Sequence, residues 1–242
     1  MNDMIQPATY KIGNVTYYPN LEQGSDEWLQ ARCGLLTASE MKLIITPTLK
    51  AASNDKERQH LYELLSQRVT RYVEPHYISA DMLRGQEDEL YARAEYADKY
   101  APVTEMGFLT NDKWGFTVGY SPDGLVGDDG AIEAKSRRAK YQFETILENV
   151  PAQTAPADYA IQLQTGLLVS ERQWIDFISY SGGIPMATIR VYPDPVIQRA
   201  IIDAAAAFED RLTAKVIRYH EILQSGRRLI PTERRVVQEM YA

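Results

Sequence analysis

The chain has one cysteine and three histidines among its 242 residues. Cys33 alone excludes an internal disulfide framework and fits a reducing compartment. His60, His76 and His220 are scattered and give no His or Cys spacing for zinc, so each reads as a surface or packing residue. No apolar run approaches the length needed to cross a bilayer, and no membrane association is expected. The opening Met1-Asn2-Asp3-Met4 lacks the basic and then apolar order of a secretory signal. There is no Gly-x-x-x-x-Gly-Lys-Ser/Thr phosphate loop, so the chain is not itself a helicase. An excess of basic charge is also missing: the net charge is −7. That is not the usual footprint of a DNA-binding protein. It is compatible with an acidic centre ringed by a local basic lining. Candidate linings are Arg137, Arg138 and Lys140, then Arg32 and Lys42, and a tail cluster of Arg227, Arg228, Arg234 and Arg235 whose simpler reading is a solvated terminal segment.

What is present is an ordinary globular composition, 45% hydrophobic and 24% charged. Short strands are expected over 9–12 and 14–18. Ser25 or Asp26 caps a short helix through Arg32, Thr37 or Ser39 caps a second that ends before Pro47, and Asn54 caps a longer one. In that third helix Leu61, Leu64, Leu65, Val69 and Tyr72 recur at helical spacing. A further helix spans about 80–100. Strands follow at 103–106, 115–120, 125–126 and 131–135, then helices at 141–148 and 158–170. Two strands at 174–180 and 186–192 flank Ser181-Gly182-Gly183, and the longest helix starts at Pro195 and ends near Leu223. This order predicts a mixed α/β fold, a central sheet flanked by helices with an N-terminal helical portion. No repeat or low-complexity linker divides it, so 1–242 reads as one domain. Its motif-bearing core covers about 20–180, with a C-terminal helix and tail over about 195–242.

The densest chemistry is Ser121-Pro122-Asp123-Gly124 followed by Glu133-Ala134-Lys135. A hairpin joining the strand that ends at Tyr120 to a return strand over 131–135 would bring Asp123 near Glu133. Lys135, two residues on, would share the strand face of Glu133. Two hard carboxylates suit Mg²⁺ or Mn²⁺, and a lysine beside them can orient or activate water. That is the equipment of metal-assisted phosphodiester hydrolysis. Taken alone, Pro-Asp-Gly is also a common turn, and Glu-x-Lys is common on any solvated strand or helix.

Four motifs in order carry a resemblance. They are Gln23-Gly24-Ser25-Asp26-Glu27-Trp28 through Arg32 with Gly34-Leu35-Leu36-Thr37-Ala38-Ser39-Glu40, then Arg84-Gly85-Gln86-Glu87-Asp88-Glu89, then the Asp123 to Lys135 core, then Tyr159-Ala160-Ile161-Gln162-Leu163-Gln164. With them the chain resembles the phage lambda exonuclease family, the YqaJ-type viral recombinases of the PD-(D/E)xK nuclease superfamily. The resemblance implies a restriction-endonuclease-like core. It implies that Asp123, Glu133, the backbone carbonyl of Ala134 and Glu89 hold two Mg²⁺ ions, or Mn²⁺, with Lys135 positioning or deprotonating water. Gln162 takes a catalytic or substrate-binding place, with Gln164 the weaker choice. Arg32, Ser39 and Ser121 correspond to a pocket for a 5′-phosphate, where an arginine fork and hydroxyls make a phosphate clamp. Arg137 and Arg138 are taken as DNA-backbone contacts.

By the same resemblance the protein is a 5′→3′ exonuclease acting on double-stranded DNA ends. It releases mononucleotides and leaves a 3′ single-stranded tail for recombination by strand annealing. A homotrimeric ring, a phage single-strand annealing protein as partner, and a phage or prophage origin in the cytoplasm of a bacterial host belong to the same expectation. Two alternatives stay open at this point: an endonuclease or resolvase of the superfamily, and a DNA-end-binding protein with a weakened site. Outside the family, Glu89 reads as one more charge on a solvated acidic helix. Gln162 likewise reads as a polar residue on an amphipathic helix, Ser39 as a helix cap, Ser121 as a turn residue and Arg32 as a surface ion pair.

Overall fold

The computed structural model describes residues 9–74 and 80–234; His76 and Arg235 lie outside the described residues. Two mixed sheets share the strands. The first has the order β1 (Tyr10–Ile12), β2 (Val15–Tyr18), β4 (Phe108–Asn111), β5 (Val118–Tyr120) and β3 (Leu36–Thr37). It is antiparallel except where β3 runs parallel to β5. The second has the order β6 (Gly124–Val126), β7 (Gly130–Ser136), β8 (Trp174–Ser181) and β9 (Ile184–Val191), with β7 parallel to β8. The chain crosses between the sheets at residues 121–123. The fold is thus mixed α/β as expected, with the single expected sheet resolved into two.

Helices cover both faces of the second sheet. α1 (Asp26–Arg32) is capped by Ser25, whose Oγ accepts from Trp28 N at 3.2 Å. α2 (Asp55–Thr70) is capped by Asn54, with Leu61 and Leu64 buried beneath it. α3 (Ala80–Lys99) lies against β7 and β8. After α4 (Ala139–Glu144) comes a π-helical turn over Thr145–Asn149 and the short α5 (Val150–Ala152). α6 (Ala157–Ser170) touches β4, β5 and β8, so it spans both sheets, and α7 (Pro195–Leu223) packs on α2 and α6. β7 sits between these layers, and its first five residues are buried. The larger core cluster includes Leu61, Leu64, Tyr120, Leu163, Phe177 and Phe208. The smaller one joins Ala92 and Tyr96 of α3 to Val126, Ile132, Ala134 and Ile178 of the second sheet.

Four expectations are corrected. The strand expected over 103–106 makes only one bridge, Thr104 to Leu125, while the strand itself is β4, buried at every position. Such a strand shows no alternation to read. The strand expected from 115 starts at Val118, because Gly115 has φ +82° in a left-handed turn. The helix expected near Thr37 or Ser39 is instead β3 followed by a 3₁₀ turn over Met41–Leu43. Leu36 and Thr37 are drawn into the sheet by pairing with Val118 and Gly119. Finally, β5 does not pair with β7; the hairpin partner of β7 is β6.

Ion pairs between α2 and α7 tie the helical layer, Arg211 to Glu57 at 2.8 Å among them. Arg68 on α2 donates twice to Glu209 on α7, at 2.7 Å each, and its Nε donates to the Gly34 carbonyl at 2.8 Å. Glu209 is buried while Arg68 is partly solvated. Glu209→Ala removes a bidentate partner and leaves a half-buried guanidinium unpaired. With discount for screening, the expected loss is about 1–3 kcal/mol. In urea denaturation the midpoint should fall while the slope stays the same.

Candidate active site

Asp123 sits in the crossing between the sheets, and its main chain continues the β6–β7 pairing: Asp123 N donates to Ile132 O at 3.2 Å. Its side chain does the same from the other direction, with Oδ2 accepting from Ala134 N at 2.6 Å. Pro122 and Gly124 are buried, so Pro-Asp-Gly is no exposed turn. A Cβ on Gly124 would lie 2.2 Å from Val103 Cγ1, which explains the glycine as a close approach. Strand alternation then divides β7. Ile132 and Ala134 face α3, while Ala131 joins the larger core and Glu133 bonds to α6 and β5.

Glu133 is 2% exposed and accepts from three donors. Tyr120 Oη donates to Oε2 at 2.9 Å; Lys135 Nζ donates to Oε1 at 2.7 Å, and Gln162 Nε2 of α6 donates to the same oxygen. The structure therefore brings Asp123, Glu133, Lys135 and Gln162 together. Glu89 joins from α3, where Lys135 and Glu133 both act on its carboxyl. Its neighbour Asp88 is turned instead to Ser136 Oγ, at 2.5 Å. Gln164 faces away, bonded to Tyr192 O and Asp194 N, each at 2.8 Å.

The charges are out of balance. Glu89, Asp123 and Glu133 are set against the ammonium of Lys135 and the guanidinium of Arg93, which is shared with Glu105. Burial first, and Glu133 second, push the Asp123 carboxyl well above the usual carboxylate range. Burial likewise raises Glu89, with Lys135 pulling the other way. For Lys135, burial opposes the charge, but Glu133, Asp123 and Glu89 outweigh it and the ammonium is held above its ordinary value. Hard oxygens with too little positive charge among them are the donor set a divalent cation of the Mg²⁺ type fits. Asp123, Glu133 and Glu89 could hold such an ion.

A second group of residues meets at the end of α1. Arg32 is half-buried, and burial lowers its pKa against the pull of Glu40. It stacks 4.1 Å from the Trp28 ring and donates to Ser121 Oγ and Thr37 Oγ1, each at 3.3 Å. Trp28 Nε1 donates to Ser121 Oγ as well, at 3.0 Å. Ser39 lies next to Thr37, their hydroxyls 3.4 Å apart. Ser39 does not cap a helix, because Glu40 holds that position before a three-residue turn. A cleft of about 790 Å³ is lined by Trp28, Arg32 and Thr37 together with Glu89 and Asp123.

On another flank, Arg137 donates to Tyr159 Oη at 3.0 Å and lies over the rings of Tyr141 and Tyr159. Arg138 is exposed at the start of α4, and Lys140 lies 4.5 Å over Tyr141. Reading the sequence by itself misses the parts played by Trp28, Thr37, Tyr120 and Tyr159. Only Trp28 carries a local signal, its i, i+4 spacing to Arg32 on α1. Tyr120 and Tyr159 meet their partners through tertiary contacts, whereas Thr37 bonds its near neighbours Arg32, Ser39 and Glu40 in an irregular segment.

Fold and site together define a nuclease of the PD-(D/E)xK type. The chain belongs to the YqaJ-like viral recombinase family, whose domain matches residues 27–173. It is similar to the alkaline exonuclease LHK-Exo of Laribacter hongkongensis, with 32% identity, 83% of this chain and 99% of that one covered, and a TM-score of 0.72. The structure of LHK-Exo in complex with dAMP matches over the same shares with a TM-score of 0.71. A phage-related exonuclease from Haemophilus somnus 129PT shares the fold at a TM-score of 0.53 and 16% identity, over 75% of this chain and 96% of that one. No curated protein matches the sequence.

Two predictions follow from the geometry. A carboxyl whose folded pKa is raised costs stability once ionised: the cost is absent below the unfolded value near pH 3.8 and complete above the folded value. Asp123→Asn should therefore raise the melting temperature of the metal-free protein at pH 8, by about 2–4 °C per kcal/mol recovered. At pH 3.5 the gain should vanish. Separately, a Cβ on Gly166 would lie 2.8 Å from Tyr120 Cζ. Gly166→Ala should displace the Tyr120 ring from Glu133 and cost about 1–3 kcal/mol by overpacking, read by denaturation.

Proposed function

We propose that this protein is a metal-dependent 5′→3′ exonuclease that degrades one strand of linear double-stranded DNA from a 5′-phosphorylated end. The observation that carries this reading is a cleft whose lining joins Arg32 and Thr37 to the carboxylates of Glu89 and Asp123. A terminal phosphate seated on Arg32, Ser39 and Ser121 would present the next phosphodiester to Asp123, Glu133 and Lys135. The relative bound to dAMP, a mononucleotide, supports a product of that size.

In the proposed reaction water attacks the phosphorus of the second nucleotide and the bond to the 3′ oxygen of the first breaks. The first nucleotide leaves with its own 5′-phosphate. The shortened strand keeps a new 5′-phosphate, the group the Arg32 cluster receives. Mg²⁺, as two ions held by Asp123, Glu133, the Ala134 carbonyl and Glu89, would polarise the phosphoryl oxygens and lower the pKa of the attacking water. Lys135, kept as an ammonium by its carboxylate neighbours, would orient the water and offset charge building on phosphorus. Gln162 would hold Glu133 in place from α6, and Arg137 and Arg138 would carry the DNA backbone.

The whole chain would act as one exonuclease domain. The 3′ tail it leaves would serve recombination by strand annealing in a phage-infected bacterial cytoplasm. A homotrimeric ring around DNA and a phage annealing protein belong to the same proposal.

Duplexes labelled at either end, with Mg²⁺, test the reading. The 5′-ended strand should shorten to mononucleotides and covalently closed circles should stay intact. Loss of the 3′-ended strand would reverse the polarity, and cut circles would make the protein an endonuclease. Lys135→Ala should lower cleavage at least about 10²–10³-fold while DNA binding persists. Arg32→Ala should erase the preference for 5′-phosphorylated over 5′-hydroxyl ends, worth about 10–100-fold for charge-assisted hydrogen bonds of 1.5–3 kcal/mol.

A further inference from the structure

Glu40, His60 and Glu63 lie apart from the carboxylates of the candidate active site. Their donor atoms all fall within 4.8 Å of one another. His60 and Glu63 share one face of α2 by i, i+3 spacing, and Glu40 enters the 3₁₀ turn. Glu40 and Glu63 line the cleft, and His60, 2% exposed, stands behind them.

One ring nitrogen of the histidine has a partner and the other has none. Nδ1 makes a long contact with Glu63 Oε2, at 3.4 Å. Nε2 is buried with no hydrogen-bond partner. The Nδ1 side of the ring is the one turned to the carboxylate of Glu63. Two ligands bonded at about 2.0–2.2 Å to one tetrahedral ion stand about 3.3–3.6 Å apart; the His60–Glu63 pair is at 3.4 Å, and Glu40 lies within 4.8 Å of both. Glu40 is steadied from outside the cluster, its Oε2 accepting from Thr37 Oγ1 at 2.8 Å.

We infer that Glu40, His60 and Glu63 form a second cation site, taking a divalent transition-metal ion of the Zn²⁺ or Mn²⁺ class. An imidazole nitrogen beside two carboxylates suits such ions and not Mg²⁺, which prefers oxygen alone. Three protein ligands leave a coordination position open, and the two carboxylates place it on the cleft. The ion is linked to the Arg32 cluster through Glu40 and Thr37, since Thr37 Oγ1 also accepts from Arg32. It places positive charge where Glu40 otherwise sets negative charge against Arg32, so the Arg32 cluster holds an anion more tightly when the site is filled.

The test is binding, independent of cleavage. In the Asp123→Asn, Glu133→Gln double variant the first site is disabled, and Co²⁺ serves as the probe. One Co²⁺ per chain should bind saturably, with the visible absorption of a low-coordinate nitrogen–oxygen site, and Zn²⁺ should displace it. Adding Glu63→Gln or, separately, Glu40→Gln should weaken Co²⁺ at least tenfold while the chain still melts cooperatively. These two side chains border the cleft, so the test spares the buried His60. Absence of saturable binding, or binding that survives both substitutions, overturns the site. Failure of the nuclease reading would leave this measurement untouched.

Discussion

Glu133 is a carboxylate buried where two sheets and a helix meet, and each of its three donors comes from a different part of the chain. Tyr120 ends the last strand of the first sheet before the crossing, Lys135 stands on the same strand as the acid, and Gln162 comes from the helix that spans both sheets. A buried charge is tolerated only when it is paired and hydrogen-bonded. Here the pairing also fixes the position of β5, β7 and α6 relative to one another. The same contact holds the layers and sets the geometry of the candidate site.

Lys135 illustrates the cost of that arrangement. It offsets one of the nearby carboxylates, and burial first, with the remaining negative charge second, raises the pKa values of Asp123 and Glu89. The site is therefore a source of instability in the metal-free chain, as functional sites often are. The acidic net charge of the whole chain says nothing about this, because the imbalance is local and is created by burial.

Much of the fold was legible. Helical periodicity and capping residues placed α2, α6 and α7 closely, since each has a clear cap, proline or apolar face. The strand β4 was missed because it is buried on both sides and so has no alternation, and β3 because two residues carry no periodic signal. Asp123 and Glu133 were expected as neighbours, and they are, though through β6 and not through a pairing of β5 with β7. The meeting of Arg32 with Ser121 spans 89 positions and could be read only through family resemblance. Trp28, between them, was visible as part of a motif but not as the ring on which Arg32 rests.

The bond from Ala134 N to the Asp123 carboxylate has a consequence for errors in folding. Strand pairing in β6–β7 could slip by one residue, and side-chain alternation would then exchange the two faces of β7. Glu133 and Lys135 would be driven into the apolar contact with Ala92 and Tyr96, and Ile132 and Ala134 would stand at the centre in their place. Such a chain would lose its carboxylate pair and its packing in one stroke. In a strand slipped in this way, misassembly and loss of the carboxylate site go together.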